Sequence, residues 1–255
     1  MSVLQTRREG PAFFIGIDRA EKRNALDQAM VDEFSVALDQ AAQEPSVLII
    51  HSTTPGMFVS GADIAELRQR TAADALRRIN GTLFDRVATH PWPSIAVVDG
   101  PALGGGCELA LACDFRLATD RARFGQPEPS LGIMAAAGAN WRLAALAGLP
   151  TARRMLLGRQ ALDPEQAMAV GLVDAVVDQG GALEAAVAMA ADIATASWQA
   201  LELTKLALAA ATDRPIAAFD ATGQALLFES EEKKTRMDAF LRRRGTSPAS
   251  RKARS

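Results

Sequence analysis

Residues 95–113 place the tightest constraint on what this chain can fold into. Ile95-Ala96-Val97-Val98 is strand-like, Gly104-Gly105-Gly106 follows shortly, and Cys107-Glu108-Leu109-Ala110-Leu111-Ala112-Cys113 continues as a helix apolar on nearly every face. A helix without a polar face has to be covered on all sides. Glycines at its start let backbone approach backbone, because they carry no Cβ. The fold must therefore build layers around this strand, turn and helix. The helix's single charge, Glu108, is carried inside with it.

The surrounding sequence supplies those layers. Phe13-Phe14-Ile15-Gly16-Ile17 and Val47-Leu48-Ile49-Ile50 are strand-like, and Phe115-Arg116-Leu117 and Arg123-Phe124 read as shorter strands. Asp27 is placed to cap a helix whose Val31, Phe34, Leu38 and Ala41 recur at helical spacing. A second helical region follows Asp63, with a break expected near Gly81, and Pro91-Trp92-Pro93 separates it from the strand at Ile95. After Gly132 the pattern turns helical: 139–146, 151–157, 164–170, 183–195 and further turns through Leu241, with Leu172-Val173-Asp174-Ala175-Val176 the one strand-like exception. The expected class is α/β, with a core over 1–195 and a helical C-terminal region over 196–244. Residues 245–255 are small, polar and basic, and bury too little apolar surface to offset the entropy of ordering.

Composition narrows the function classes. The chain has 255 residues, enough for one large core, and its formal net charge of −2 argues against wholesale binding to nucleic acid or an anionic membrane. Cys107 and Cys113 are six apart in one apolar segment, poor spacing for a disulfide and no CxxC metal pair, so both read as reduced core residues. No metal site is expected. The N-terminal residues lack the pattern of a secretory signal, no apolar run reaches the length of a membrane span, and a cytoplasmic protein is expected. His51 and His90 are the only histidines, and neither sits in a GxSxG or HExxH context.

Three segments point to chemistry. Gly104-Gly105-Gly106 opens the apolar helix, where unsatisfied N–H groups and the helix dipole favour negative charge. The spacing does not fit GxGxxG, and GxxxxGK[ST] is absent, so nucleotide-phosphate binding of those kinds is disfavoured. Met57-Phe58-Val59-Ser60-Gly61-Ala62-Asp63-Ile64 runs from a loop into another helix, and its Ala62 N–H can join that of Gly105 to hold a developing oxyanion. Phe124-Gly125-Gln126-Pro127-Glu128 brings a second carboxylate. Alone, Glu108 reads as an ordinary first-turn acid, Asp63 as a helix cap and Glu128 as a loop residue. Together, two carboxylates beside an anion hole can hold, activate and redistribute the protons of one water molecule. Lys22-Arg23-Asn24-Ala25-Leu26, with Arg19 nearby, is the early basic group best suited to phosphates, although a solvated turn is the usual explanation for such residues.

The combination resembles the enoyl-CoA hydratase/isomerase, or crotonase, family over roughly residues 3–244, most specifically from Ile95 through Gly104-Gly105-Gly106-Cys107-Glu108 to Asp114. The resemblance implies a spiral of ββα units with a helical C-terminal region that makes trimers, often paired into hexamers. Phe228-Glu229-Ser230-Glu231-Glu232-Lys233-Lys234 and Met237-Asp238-Ala239-Phe240-Leu241 look like its last helices. It implies Glu108 and Glu128 as the catalytic pair and Ala62 and Gly105 as the oxyanion donors. Lys22, Arg23, Ala25, Ser60, Ala62, Asp63 and Ile64 are implied in binding the coenzyme A thioester. No cofactor is implied, since coenzyme A belongs to the substrate. Hydratases commonly follow the second glutamate with Leu-Gly, then Pro-Gly-Ala-Gly-Gly. Here Ala135 replaces the proline, and Ala136 and Ala139 replace glycines, which affects the shape of the acyl pocket.

The expected activity is reversible addition of water to a 2-enoyl-CoA, giving a 3-hydroxyacyl-CoA. An enoyl-CoA isomerase is the nearest alternative and needs only one well-placed carboxylate. A non-catalytic acyl-CoA or RNA-binding module on the same fold is a third reading, disfavoured for RNA because no basic stripe is interleaved with aromatics.

Overall fold

The computed structural model describes residues 2–210. β1 (Leu4–Glu9) and β2 (Ala12–Ile17) form an antiparallel hairpin. After α1 (Gln28–Ala41), β3 (Val47–Ser52) pairs parallel with β2. Three helices follow, α2 (Ile64–Leu67), α3 (Ala72–Leu76) and α4 (Ile79–Ala88), before β4 (Ser94–Val98) returns parallel to β3. β5 (Pro101–Leu103) leads directly into α5 (Gly105–Ala112), and β6 (Phe115–Ala118) rejoins the main sheet beside β4. β7 (Arg123–Gly125) then pairs with β5 in a separate two-stranded parallel sheet. A short 3-10 turn at Glu128–Leu131 precedes α6 (Ala139–Leu156) and α7 (Pro164–Ala169); β8 (Ala175–Val176) completes a main sheet of order β1-β2-β3-β4-β6-β8, and α8 (Ala182–Ile193) follows it.

Every residue of β2 and β4 is buried, and β3 is buried through His51. Such continuous apolar runs are what parallel strands covered on both faces require. α1 starts where expected, with Asp27 Oδ1 accepting the Met30 N–H at 2.9 Å, and it buries Val31, Phe34, Leu38 and Ala41. β1 escaped the sequence reading because its exposed residues Gln5-Thr6-Arg7-Arg8-Glu9 show no apolar alternation. It is held by register with β2 and by Arg7 over the Phe14 ring, 3.8 Å from the centroid, and its charged edge discourages pairing with another chain. The break expected near Gly81 lies instead at Arg77–Arg78, where Arg78 takes a left-handed conformation, and Gly81 is inside α4. α6 contains a non-helical residue at Gly148 (φ +75°), consistent with the two helical stretches read from the sequence.

The small sheet is what brings the two glutamate segments together. Gly104 N–H donates to Gly125 O at 2.9 Å, so the start of α5 and the approach to Glu128 are stitched side by side. α5 is also pressed onto the 57–62 loop: a Cβ on Gly106 would stand 1.9 Å from Val59 O. At the other end of α5, buried Arg116 donates to Cys113 O (2.6 Å), a carbonyl the helix leaves open, and ties it to the segment after α7 through Leu172 O (2.6 Å). Cys107 and Cys113 are buried free thiols.

The chain divides into two compact units, one ending at Thr195 and one beginning at Ala196. α9 (Trp198–Ala210) belongs to the second. The helices expected around 228–241 and the tail at 245–255 lie outside the described residues. Among those described, no helix is long and apolar enough to cross a membrane.

Candidate active site

A cavity of about 710 Å³ opens beside the start of α5. Its lining includes Ser60, Ala62, Ile64, Gly105, Glu108 and Glu128, so residues from three separate stretches of sequence meet at one place. Ala62 sits opposite Leu26 in an isolated parallel bridge in which Leu26 bonds Gly61 O and Asp63 N, each at 2.8 Å. That pattern turns the Ala62 N–H away from Leu26. A Cβ on Gly105 would lie 3.7 Å from Ala62 N, which brings these two backbone segments into close approach. Gly105 is the first residue of α5, where an N–H has no partner within the helix. Among the described residues neither amide donates a hydrogen bond to protein.

Glu108 is 3% exposed, yet its Oε1 accepts two backbone N–H groups, Ala137 at 2.8 Å and Ala139 at 3.1 Å. Burial raises its pKa, while those two amides and the charge of Arg142 oppose the rise. Glu128 is 8% exposed and has no such pair of amides. Burial, with the charge of Glu108 added, pushes it up to about 7, against a lowering contribution from its own backbone N–H. The Gln126 amide faces this carboxylate; with its nitrogen assigned to that side it donates to Oε2 at 3.0 Å and to Oε1 at 3.2 Å. Gly104 makes room for it: at φ +51° a Cβ would be strained, and it would meet Glu128 Oε1 at 2.7 Å. Burial, then the charges of Glu108 and Glu128, pushes the Cys107 thiol up, so it stays protonated and is no nucleophile.

The structure does not gather every residue singled out from the sequence. Lys22 and Arg23 are exposed and do not line the cavity, and Ala25 is buried beside them. Arg19 is committed to the scaffold, bridging Asp27 (2.6 Å) and Asp63 (3.5 Å) and donating to Ala25 O. Asp63 caps α2 through the Ala65 and Glu66 amides. Asn24, fully buried, ties this loop to Ser52 Oγ and Phe58 O. Three residues that touch the site carried no local sequence signal as such. Asn80 Nδ2 would lie 3.7 Å from a Gly105 Cβ, Gln126 faces Glu128, and Arg142 donates to Ala137 O at 3.0 Å.

A family model described as enoyl-CoA hydratase/isomerase matches residues 8–247. The chain belongs to the enoyl-CoA hydratase/isomerase family. It is 32% identical over 244 residues to a short-chain-enoyl-CoA hydratase of Clostridium acetobutylicum, covering 93% of this chain and 94% of that one. It is 34% identical over 248 residues to a 2,3-dehydroadipyl-CoA hydratase of Escherichia coli K12, covering 96% and 97%. The crystal structure of an enoyl-CoA hydratase from Bacillus anthracis superposes with a TM-score of 0.90 at 26% identity, over 95% of this chain and 97% of that chain. The fold is thus the crotonase fold, α/β with a mostly parallel sheet.

Within this family member, the departures after the second glutamate border the site. Ala136 and Ala137 line the cavity, and Ala139, fully buried, supplies one of the amides on Glu108. The added Cβ of Ala136 therefore takes space from the cavity itself.

Proposed function

We propose that this chain is an enoyl-CoA hydratase, adding water reversibly across the 2,3 double bond of a 2-enoyl-CoA to give a 3-hydroxyacyl-CoA. The observation that carries the reading is the pair of buried glutamates in unlike surroundings, facing one cavity beside two uncommitted backbone N–H groups. The Ala62 and Gly105 amides receive the thioester oxygen, which gains negative charge as C3 is attacked, so they stabilise the transition state more than the ground state. Glu108, kept chargeable by the Ala137 and Ala139 amides, takes a proton from water as the oxygen bonds to C3. Glu128, held protonated toward neutrality, gives its proton to C2. One water has then been added, and exchange of a proton from Glu108 to Glu128 through solvent restores the starting state. The reaction as written needs no metal or redox cofactor.

Ser60 and Ile64 line the thioester side of the cavity, and Lys22, Arg23, Ala25 and Asp63 are assigned to the coenzyme A side by family likeness. The helical region over 196–244 is assigned to homotrimer or hexamer assembly, and the protein to the cytoplasm, also by family likeness. Incubation with crotonyl-CoA and mass measurement tests the chemistry. A gain of one water is expected. Unchanged mass with a 3-enoyl thioester converted to its 2-enoyl isomer would instead identify an isomerase, which uses one carboxylate where this site holds two.

A further inference from the structure

Three consecutive peptide units at the entry to α6 surround Glu108, and one side chain holds the middle one. The N–H groups of Ala137 and Ala139 both donate to Glu108 Oε1, at 2.8 and 3.1 Å. The carbonyl of Ala137 belongs to the peptide between them, and it accepts from Arg142 Nη1 at 3.0 Å. Gly138, the next residue, has φ +129° and no room for a Cβ, because the same Nη1 packs against it. Asn140 Nδ2 also braces the turn, donating to Ala135 O at 2.6 Å. Among the described residues Glu108 Oε2 accepts no hydrogen bond from protein, and Glu108 lines the cavity. Fixing Oε1 therefore leaves Oε2 for water.

Arg142 is itself anchored. Only 12% exposed, it donates through Nη2 to Asp85 Oδ1 at 2.9 Å, so its planar fork spans two acceptors, one on the turn and one on α4. A lysine ammonium is a point charge without that fork. The charged groups that act on Glu108 are Glu128 from the 3-10 turn and Arg142 from α6. Cys107, beside it on α5, stays a neutral thiol, while β5 and the 57–62 loop contribute no charge. Behind Arg142 stand Asp85 and, 2.8 Å from its Oδ2, Arg78 at the start of α4. The cation acting on the base is thus Arg142, and Asp85 tempers it.

We infer that Arg142 is the positioning residue of the Glu108 base: it acts through the Ala137 carbonyl to keep two amides on Oε1, and Asp85 holds it there from α4. The inference rests on the hydratase reading for the task that Glu108 performs, whereas the hold on Glu108 can be measured without turnover. In full-length protein carrying isotope-labelled glutamate carboxyls, the magnetic resonance signal lost in Glu108→Gln reports the ionisation of Glu108 directly. Arg142→Gln removes both charge and fork, so Glu108 should titrate about one pH unit or more higher. Arg142→Lys keeps the charge and should shift it less. Asp85→Asn leaves an oxygen for Arg142 but removes the tempering charge, so Glu108 should titrate lower. A pair serving only the fold would not shift this ionisation in opposite directions from its two ends. With crotonyl-CoA, the acid limb of kcat/KM should move with these titrations, and Arg142→Gln should lower kcat roughly 10–100-fold with little change in KM. A folded Arg142→Gln in which Glu108 titrates as in the parent overturns the proposal, as does an Asp85→Asn variant in which it fails to titrate lower; the second variant decides if the first does not fold. A parent that adds no water to crotonyl-CoA removes the hydration, and the hold of Arg142 on Glu108 then stands or falls on the titrations.

Discussion

Glu108 and Glu128 are both buried and both pushed up by burial, but their hydrogen-bond partners differ. Glu108 accepts two amides and feels Arg142, while Glu128 lies buried with Glu108 as a like charge. If Glu128 acts as the acid, its protonated form is the active one. kcat/KM is then expected to fall about tenfold per pH unit above roughly 7, and a rise there in the initial-rate profile would reverse the assignment. Stability follows the same ionisation. Between the ordinary 4.5 and about 7 the folded state holds a proton on Glu128 that the unfolded chain has released, so stability is fullest below that window and is lost as pH rises through it. Glu128→Gln removes this loss: its Tm should exceed the parent's at pH 8 and show less decline between pH 5 and 8. Glu108→Gln and Glu128→Gln should each lower kcat by roughly 10²–10⁴ while retaining acyl-CoA affinity, and the double variant should lose far less than the product of the two.

At the scale of elements, the turn into α5 packs the helix and carries the proposed oxyanion amide, and adjacent glycines allow the two to be tested apart. Gly105 is the first residue of the helix, a position that tolerates proline and loses only an N–H by it. Gly105→Pro should reduce turnover by roughly 10²–10³ with a modest change in melting temperature. Near-parental activity in a folded variant would remove Gly105 from the oxyanion assignment. Gly106 is a packing contact instead. Its substitution by alanine drives a Cβ into Val59 O, and urea unfolding should show a loss of roughly 1–3 kcal/mol or more. The buried strands and the Asp27-capped helix were legible because periodicity and caps are local signals. β5 was not legible: Pro101-Ala102-Leu103 is too short to show a pattern, and only its pairing with β7 makes it a strand.

For the whole molecule, large apolar side chains remain exposed around the site, among them Leu131 (52%), Met134 (65%) and Trp141 (50%). Leu131 and Met134 line the cavity, where an acyl group would cover them; the trimer or hexamer assigned by family likeness to the region over 196–244 is tested by light scattering across micromolar concentrations, with a monomer alone counting against it. The sequence by itself determined that an apolar helix opened by glycines must be buried, that strands and helices alternate around it, and that Glu108 goes inside with it; each follows from residue type and spacing along a continuous stretch. The nearness of Glu128, Ala62 and Gly105 was implied by family likeness, since no local pattern encodes a distance between segments so far apart in the chain. Only the tertiary structure decided that Glu108 is bonded by Ala137 and Ala139, that Gln126 faces Glu128, that Arg19 serves the scaffold, and that Arg78 and Arg142 share Asp85. The physical reason is that hydrogen bonds and charge pairs depend on which surfaces the sheet and loops bring into contact, and a charge is free or matched only after its neighbours have been placed.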